Sequence, residues 1–183
     1  SALRAKDFAE KTAQRLRIPL PGGEPKPYGK TERYELYKVG PVMSVSHGIG
    51  MPSLSVMLHE VVKLLHHAGV KDPTFLRLGT SASIGLEPGT VVLAEEGLNG
   101  KLEPRYELPV LGEVKSWPTK LNGDLNRRIM EARDQIKVVL GKTIGADDFY
   151  EGQARLDGAL VPDYTEKEQK AFLRRAYAAG ARN

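Results

Sequence analysis

The fold prediction starts from one stretch, Thr74-Phe-Leu-Arg-Leu-Gly-Thr-Ser-Ala-Ser-Ile-Gly85. Its first five residues are apolar and partly β-branched, which is typical of a short strand buried on both faces of a sheet. Arg77 interrupts this run, and a buried guanidinium is costly without a counter-charge. Ligands of open α/β sheets bind beyond the carboxyl ends of the strands, where Gly79-Thr80-Ser81 follows. The pattern predicts an anion site with phosphate as the favoured ligand, but an internal ion pair of Arg77 is an equally good interpretation of this stretch alone.

Helical and strand patterns alternate along the rest of the chain. Ser53 is expected to cap the second helix, and Thr165 and Glu168 form a capping-box pattern before the last one, which is expected to stop at Gly180. Residues 95–119 are expected to be irregular apart from one edge strand. The alternation predicts the α/β class. The predicted helices cover residues 3–18, 53–68, 124–136 and 165–179, and the predicted strands cover residues 33–39, 42–46, 74–78, 90–94 and 137–140.

Length and composition indicate an ordinary globular protein. The chain has 183 residues, 40% hydrophobic and 27% charged, which suits one domain with a real core. Its formal net charge of +4 is spread along the chain, so nucleic acid is not an expected partner. Cysteine is absent, which excludes disulfides and a thiol nucleophile. No apolar run approaches membrane-spanning length, so we expect no membrane association and a cytoplasmic location.

Two motifs resemble known sites but are incomplete. His59-Glu-Val-Val-Lys63 has a lysine where a zinc-protease helix needs its second histidine, and an ammonium group cannot ligate zinc. Gly48-x-Gly50 is half of a dinucleotide fingerprint, and glycines that serve a tight strand-to-helix turn explain it better. We therefore expect neither a metal site nor a dinucleotide-binding site from these two motifs.

A third motif, Phe149-Tyr-Glu-Gly-Gln-Ala-Arg155, carries more specific chemistry. Gln153 and Arg155 are two residues apart and would emerge on one side of an extended chain. A glutamine amide offers a donor and an acceptor, whereas arginine offers donors alone. Together they complement the edge of a uracil ring, and Phe149 would supply an apolar wall. A polar surface loop remains the alternative if this motif is considered by itself.

Together these motifs make the chain similar to the uridine phosphorylases, animal-type, of the nucleoside phosphorylase superfamily. The resemblance covers essentially all 183 residues. Gly-x-Gly-x-Pro-Ser is a superfamily signature, and Phe-x-x-x-Gln-x-Arg distinguishes the uridine enzymes from the purine ones. The matching stretches are Ser46–Ser53 and on through Glu60, Arg77–Ser81, Ile84–Thr90 and Phe149–Arg155.

The resemblance implies reversible phosphorolysis, in which uridine and phosphate give uracil and ribose 1-phosphate, with phosphate as co-substrate and no cofactor. It implies a three-layer α/β/α domain with a central mixed, partly barrel-like sheet. It also implies a homodimer or higher homo-oligomer with shared active sites, since Arg33 of such enzymes reaches the neighbouring subunit's site. The implied phosphate-binding residues are Arg4, Arg33, Arg77 and Thr80. The implied substrate-binding residues are Thr80, Ser81, Ala82, Phe149, Gln153 and Arg155. The implied catalytic residues are Arg77, Gln153 and Arg155.

The chain departs from this pattern in two respects. Residues 1–183 are expected to form a single domain that lacks its first strand and its C-terminal part, because the ribose-binding Met and Glu of such enzymes should follow Asn183. Ala82 and Ser83 stand where the family usually has glycines. A degenerate paralogue that binds phosphate, with weak or altered nucleoside binding, is therefore the alternative function. A purine nucleoside phosphorylase is a third choice.

Overall fold

The computed structural model describes residues 2–29 and 33–183. The chain divides into two compact units, Ser1–Phe75 and Leu76–Asn183. No helix in the described ranges is both long and apolar enough to cross a membrane. The helices are α1, Ala2–Leu16; α2, Met51–His67; α3, Gly123–Ala132; and α4, Glu166–Ala178. The strands are β1, Leu36–Val39; β2, Val42–Val45; β3, Val91–Leu98; β4, Arg105–Val110; β5, Glu113–Pro118; and β6, Val138–Ile144.

The first unit packs α1 on a two-stranded hairpin. Ala5, Ala9 and Ala13 recur every four residues, so they share one face of α1. They are buried against Tyr37 and Val39 of β1 in one core cluster. Small side chains on this face let the helix lie close to the strands, and the Ser44 hydroxyl of β2 donates a hydrogen bond of 3.0 Å to the carbonyl oxygen of Ala5.

The second unit is organised around a parallel pair, β3 and β6, which runs from Val91 opposite Val138 to Leu98 opposite Ile144 with a register shift between Ala94 and Glu96. Leu98 is buried with Ala176 of α4 and with Ala181. The Thr165–Glu168 capping box starts α4 as the sequence predicts.

The chain after α4 returns to the sheet. Gly180 has a φ of 93°, in the left-handed region that ends helices. Ala181 then pairs with Lys142 of β6 in parallel. The last residues therefore extend along β6, with Arg182 N–H donating to the carbonyl oxygen of Lys142 at 2.9 Å.

The α/β class with mixed parallel and antiparallel pairing is confirmed. In the described residues six strands form three pairs, β1 with β2, β3 with β6, and β4 with β5. The predicted buried strand over Thr74–Leu78 is wrong, because residues 73–83 form neither helix nor strand and the apolar side chains are exposed, Leu78 by 70%. A strand exists only when a neighbour completes its hydrogen bonds, and no strand of the described ranges pairs with this segment.

Other corrections concern element ends. The second helix begins after Gly50, not after Ser53, with Pro52 in its first turn, where the fixed φ of proline is already helical. The third helix ends at Ala132, so Ile136 lies beyond it. Residues 95–119 are not irregular, since β4 and β5 form a hairpin with a two-residue turn at Leu111 and Gly112, both with positive φ. The sequence did not predict this turn because its first residue is leucine, whereas glycine, asparagine and aspartate are the usual residues with positive φ.

Candidate functional site

Arg77 lies on the exposed segment that precedes the predicted anion loop. A Cβ atom built on Gly79 would lie 3.4 Å from Nη1 of Arg77, so the guanidinium turns back over this glycine. Arg77 is exposed, and among the described residues it forms no salt bridge with an acidic side chain. The described residues therefore do not supply the internal ion pair that was the alternative interpretation of this arginine.

Hydrogen bonds join the loop after Arg77 to the last two residues of the sequence. The amide nitrogen of Asn183 donates to the Ser81 hydroxyl at 2.9 Å, and its amide oxygen accepts from Thr143 Oγ1 at 2.8 Å. The backbone N–H of Ile84 donates to the carbonyl oxygen of Arg182 at 2.8 Å. Ser81 of the predicted loop thus lies beside the carboxyl end of β6, the edge of the sheet where ligands of α/β proteins bind.

Ala82 and Ser83 adopt ordinary backbone conformations. Neither residue has a positive φ, so neither position requires glycine for its dihedral angles. The Ser83 hydroxyl donates to the carbonyl oxygen of Leu86 at 3.0 Å. The difference that remains between alanine and glycine at position 82 is steric, because Ala82 adds a methyl group to an exposed loop.

The segment from Phe149 to Arg155 is a tight turn. Glu151–Gln153 form a 3₁₀ turn, and Ala154 has a φ of 54°. The Asp148 carboxylate accepts from the N–H groups of Tyr150 at 2.7 Å and Gly152 at 2.9 Å. These bonds, with that of Gly152 the strongest, lower the pKa of Asp148. The extended chain assumed for Gln153 and Arg155 is therefore wrong, because the Asp148 carboxylate stabilises a turn instead.

The guanidinium of Arg155 contacts the ring of Phe149 within this turn. Its Cζ atom is 4.6 Å from the centroid of the Phe149 ring, and its Nε and Nη2 atoms donate to Asp157 at 2.8 and 2.6 Å. The hydrogen bonds and the opposite charge raise the pKa of Arg155 and lower that of Asp157. Gln153, in the same turn, is exposed. The turn thus presents an amide, an aromatic ring and a guanidinium within seven residues.

Two side chains, one in α4 and one just before it, donate hydrogen bonds to the backbone of this turn. Gln169 Nε2 donates to the carbonyl oxygen of Ala154 at 2.6 Å, and the Tyr164 hydroxyl donates to that of Arg155 at 2.5 Å. Burial raises the pKa of Tyr164, so its hydroxyl keeps its proton and remains a donor. Gln169 of α4 and Tyr164, which precedes the helix, therefore hold the backbone of the turn.

The remaining predicted phosphate ligands belong to the first unit. Arg4 lies on α1 and is exposed. Arg33 lines an open hollow of about 420 Å³ together with Tyr34, Pro52, Ser53 and Val56. Tyr34 donates from its hydroxyl to the carbonyl oxygen of Ser53 at 3.2 Å, which joins the residue after Arg33 to α2. The joint role of Arg4, Arg33, Arg77 and Thr80 in binding phosphate stays a prediction.

Sequence reasoning missed two residues of this site. Asp157 stands two residues after Arg155, and the opposite charges at that spacing were a usable signal. Asn183 is 102 residues from its partner Ser81. No local pattern identifies a contact of that separation, so this residue was not predictable.

Comparison with known proteins gives the family. The sequence profile of the phosphorylase superfamily matches residues 1–181. Uridine phosphorylase 1 of Mus musculus is 44% identical over 187 residues, covering 100% of this chain and 60% of the relative. The uridine and thymidine phosphorylase of Caenorhabditis elegans is 46% identical over 182 residues, covering 98% of this chain and 60% of the relative. The inactive uridine phosphorylase B of Schistosoma mansoni is 42% identical over 159 residues, covering 85% of this chain and 53% of the relative.

A solved structure gives the same result for the fold. The uridine phosphorylase of Schistosoma mansoni in complex with uracil superposes with a TM-score of 0.91 at 42% identity, covering 100% of this chain and 63% of the other. The chain thus spans about 60% of the length of the first two relatives described above. The resemblance to the uridine phosphorylases and the fold it implied are confirmed. Since the superfamily profile matches nearly every residue, this chain belongs to the phosphorylase superfamily.

Proposed function

We propose that this chain is part of a pyrimidine nucleoside phosphorylase that catalyses the reversible phosphorolysis of uridine to uracil and ribose 1-phosphate. Relatives named uridine phosphorylases, at 44% and 46% identity, support the proposal. The second unit also carries both an arginine-bearing loop and a turn whose side chains suit a flat, polar ring, and both features support the proposal.

The observation that carries the proposal is the turn from Phe149 to Arg155. The guanidinium of Arg155 stacks on Phe149 with Cζ 4.6 Å from the ring centroid, and Gln153 is exposed in the same turn. Donors from arginine match a base carbonyl, and the glutamine amide matches a carbonyl beside an N–H. Uracil presents this order of groups on its edge, whereas a purine presents a different one.

Phosphate is the proposed nucleophile, held by Arg4, Arg77 and Thr80, with Arg33 contributed by a neighbouring subunit. Several guanidinium groups around one dianion fix its position and reduce its repulsion from the substrate. One phosphate oxygen forms a bond to C1′ of the ribose while the bond from C1′ to N1 of uracil breaks. The electron pair of that bond leaves with the base, so the sugar passes through an oxocarbenium-like state.

The departing uracil accumulates negative charge on its carbonyl oxygens. Arg155 donates to these oxygens, so its hydrogen bonds strengthen as the bond breaks and favour the transition state over the bound substrate. Gln153 holds the ring edge in register, and Ser81 and Ala82 line the loop beside the substrate. The proposed reaction requires no metal and no organic cofactor, and a cytoplasmic homodimer is part of the proposal.

The test is phosphorolysis of uridine, thymidine and inosine by the intact protein, with and without phosphate. We expect the parent protein to release the base from uridine only when phosphate is present, and to release little base from inosine. The Arg77→Ala variant should release the base from neither nucleoside. Equal release from uridine and inosine would contradict the uracil assignment. Release that does not require phosphate would contradict phosphorolysis itself.

Ala82 favours a second candidate, a paralogue that binds phosphate but handles uridine poorly. The methyl group narrows the space beside the base, and overpacking of a tight site costs about 1–3 kcal/mol. At about 1.4 kcal/mol for each tenfold change, uridine binding would weaken by one to two orders of magnitude. A relative named inactive, at 42% identity, makes this alternative concrete.

The double variant Ala82→Gly, Ser83→Gly separates the two candidates. If the loop is the obstacle, this variant binds uridine roughly ten- to one-hundred-fold more tightly than the parent, with phosphate affinity unchanged. Affinity for each ligand is measured by calorimetric titration. Equal uridine affinity in parent and variant means that the loop does not obstruct binding.

A further inference from the structure

Asp157 forms a bidentate ion pair with one side of the Arg155 guanidinium. Nε of Arg155 donates to Oδ1 of Asp157 at 2.8 Å, and Nη2 donates to Oδ2 at 2.6 Å. Two parallel bonds between a planar cation and a planar anion define the orientation of both planes, which a single bond does not.

This bidentate ion pair determines which N–H donors of Arg155 remain available to bind a ligand. A guanidinium carries five N–H groups in a fixed fork. The carboxylate engages the hydrogen on Nε and one hydrogen on Nη2. Both hydrogens on Nη1 and the second hydrogen on Nη2 are left, and these lie on the end of the fork that points away from Asp157.

Other contacts hold the remainder of Arg155. The guanidinium stacks over Phe149, with Cζ 4.6 Å from the ring centroid, and the Tyr164 hydroxyl binds the Arg155 carbonyl oxygen. Contact with the ring restricts the position of the guanidinium but does not fix the direction of its N–H groups. The two bonds to Asp157 fix that direction.

The ion pair contributes little to stability. The side chain of Arg155 is 35% exposed and that of Asp157 is 66% exposed. Salt bridges with this exposure are screened by water and salt and stabilise proteins weakly. A contact with so small a stabilising effect, at a residue of the proposed site, has its main consequence in orientation.

We propose that Asp157 is a positioning residue for base recognition, which directs the Nη1 end of Arg155 towards the C4 carbonyl of the base and so favours uracil over cytosine. Cytosine carries an amino group in place of that carbonyl, and an amino donor facing guanidinium donors leaves both unpaired. This inference rests on the proposed phosphorolysis of uridine.

The test compares Asp157→Ala and Asp157→Glu with a matched control, Asp163→Ala. Asp163 is exposed and forms no salt bridge in the part of the chain that the structure describes. For Asp157→Ala we expect kcat/KM for uridine to fall roughly three- to ten-fold, the size of one weakened charged hydrogen bond. The ratio of kcat/KM for uridine to that for cytidine should also fall, with partial recovery in Asp157→Glu. All three variants should keep a Tm within about 2 °C of the parent.

A double-mutant cycle isolates the action through Arg155. In an Arg155→Ala background, Asp157→Ala should change neither kcat/KM for uridine nor the ratio, because the group to be positioned is absent. The proposal is overturned if Asp157→Ala behaves like Asp163→Ala, or if its effect persists undiminished in that background. A parent protein without phosphorolysis of uridine would instead overturn the proposed function, and this inference with it.

Discussion

Tyr37 carries an ionisation that limits alkaline stability. It is 3% exposed in the core of the first unit, and its hydroxyl donates to Glu35 at 2.5 Å. This hydrogen bond, burial and the carboxylate charge raise the pKa of Tyr37 to about 12 from 10.0. The protonated phenol is therefore favoured in the folded state, so its contribution to stability is complete below pH 10.0 and is lost as the pH rises through about 12.

Replacing Tyr37 with phenylalanine tests this ionisation. We expect Tyr37→Phe to lower the free energy of unfolding at neutral pH by about 1 kcal/mol, the net worth of one hydrogen bond. Between pH 10 and 12 the parent should lose stability faster than the variant, as measured by urea denaturation at each pH. Parallel losses in the two proteins over that range would contradict the role of Tyr37. Tyr28→Phe is the control, since Tyr28 is 54% exposed.

Gln153 is expected to carry base discrimination at the other edge of the ring. Gln153→Ala should leave a polar edge of uracil unpaired, which costs about 1–3 kcal/mol. This corresponds to roughly a five- to one-hundred-fold loss in kcat/KM for uridine, with a smaller change for inosine. Steady-state kinetics with both nucleosides measures it. An equal loss for the two substrates would mean that Gln153 acts on structure and not on the base.

At the scale of elements, the start of α4 supports the substrate turn. Thr165 Oγ1 accepts from the backbone N–H of Glu168 at 3.3 Å, and the Glu168 carboxylate accepts from that of Thr165 at 2.8 Å. Gln169, one residue further, donates to the carbonyl oxygen of Ala154. The cap orders the helix end that carries Gln169, and Gln169 contacts the turn that carries Arg155.

Thr165→Ala removes half of this capping box. We expect the free energy of unfolding to fall by about 1 kcal/mol, because an N-cap threonine satisfies an otherwise unpaired N–H. KM for uridine should rise as the turn loosens. Urea denaturation and steady-state kinetics measure the two effects, and Thr165→Ser, which keeps the hydroxyl, should resemble the parent. A serine variant as unstable as the alanine variant would show that the methyl group, and not the cap, is responsible.

At the scale of the whole molecule, the proposal is that Arg33 of a neighbouring subunit completes the site. If Arg33 of one subunit completes the site of its neighbour, Arg33→Ala and Arg77→Ala proteins are each inactive as pure homodimers. In a hybrid, the Arg33→Ala chain keeps its own Arg77 and receives Arg33 from its partner, so one of two sites is intact.

Co-refolding the two variants in equal amounts gives a direct measurement. Random pairing makes about half of the dimers hybrid, so we expect about a quarter of the parent's activity. Each variant refolded alone is the control. Absence of recovered activity in a mixture that contains hybrid dimers would mean that Arg33 serves its own subunit or no site.

The sequence by itself determined the features that depend on neighbouring residues. Helical spacing predicted α1 and α4, and the Thr165–Glu168 pattern predicted a capping box that the structure contains. Turns and caps are formed by groups within about four residues of each other, so their chemistry can be read directly from the chain. The motifs also predicted the family.

The tertiary structure decided what depends on partners distant in sequence or on competing local bonds. The segment Thr74–Leu78 has the composition of a strand but remains outside the pairs, since composition does not supply a hydrogen-bonding neighbour. The Asp148 carboxylate converts the expected extended segment at Gln153 into a turn. Asn183 binds Ser81 across 102 residues. Contacts of this kind arise from the folded path of the whole chain, which no local pattern encodes.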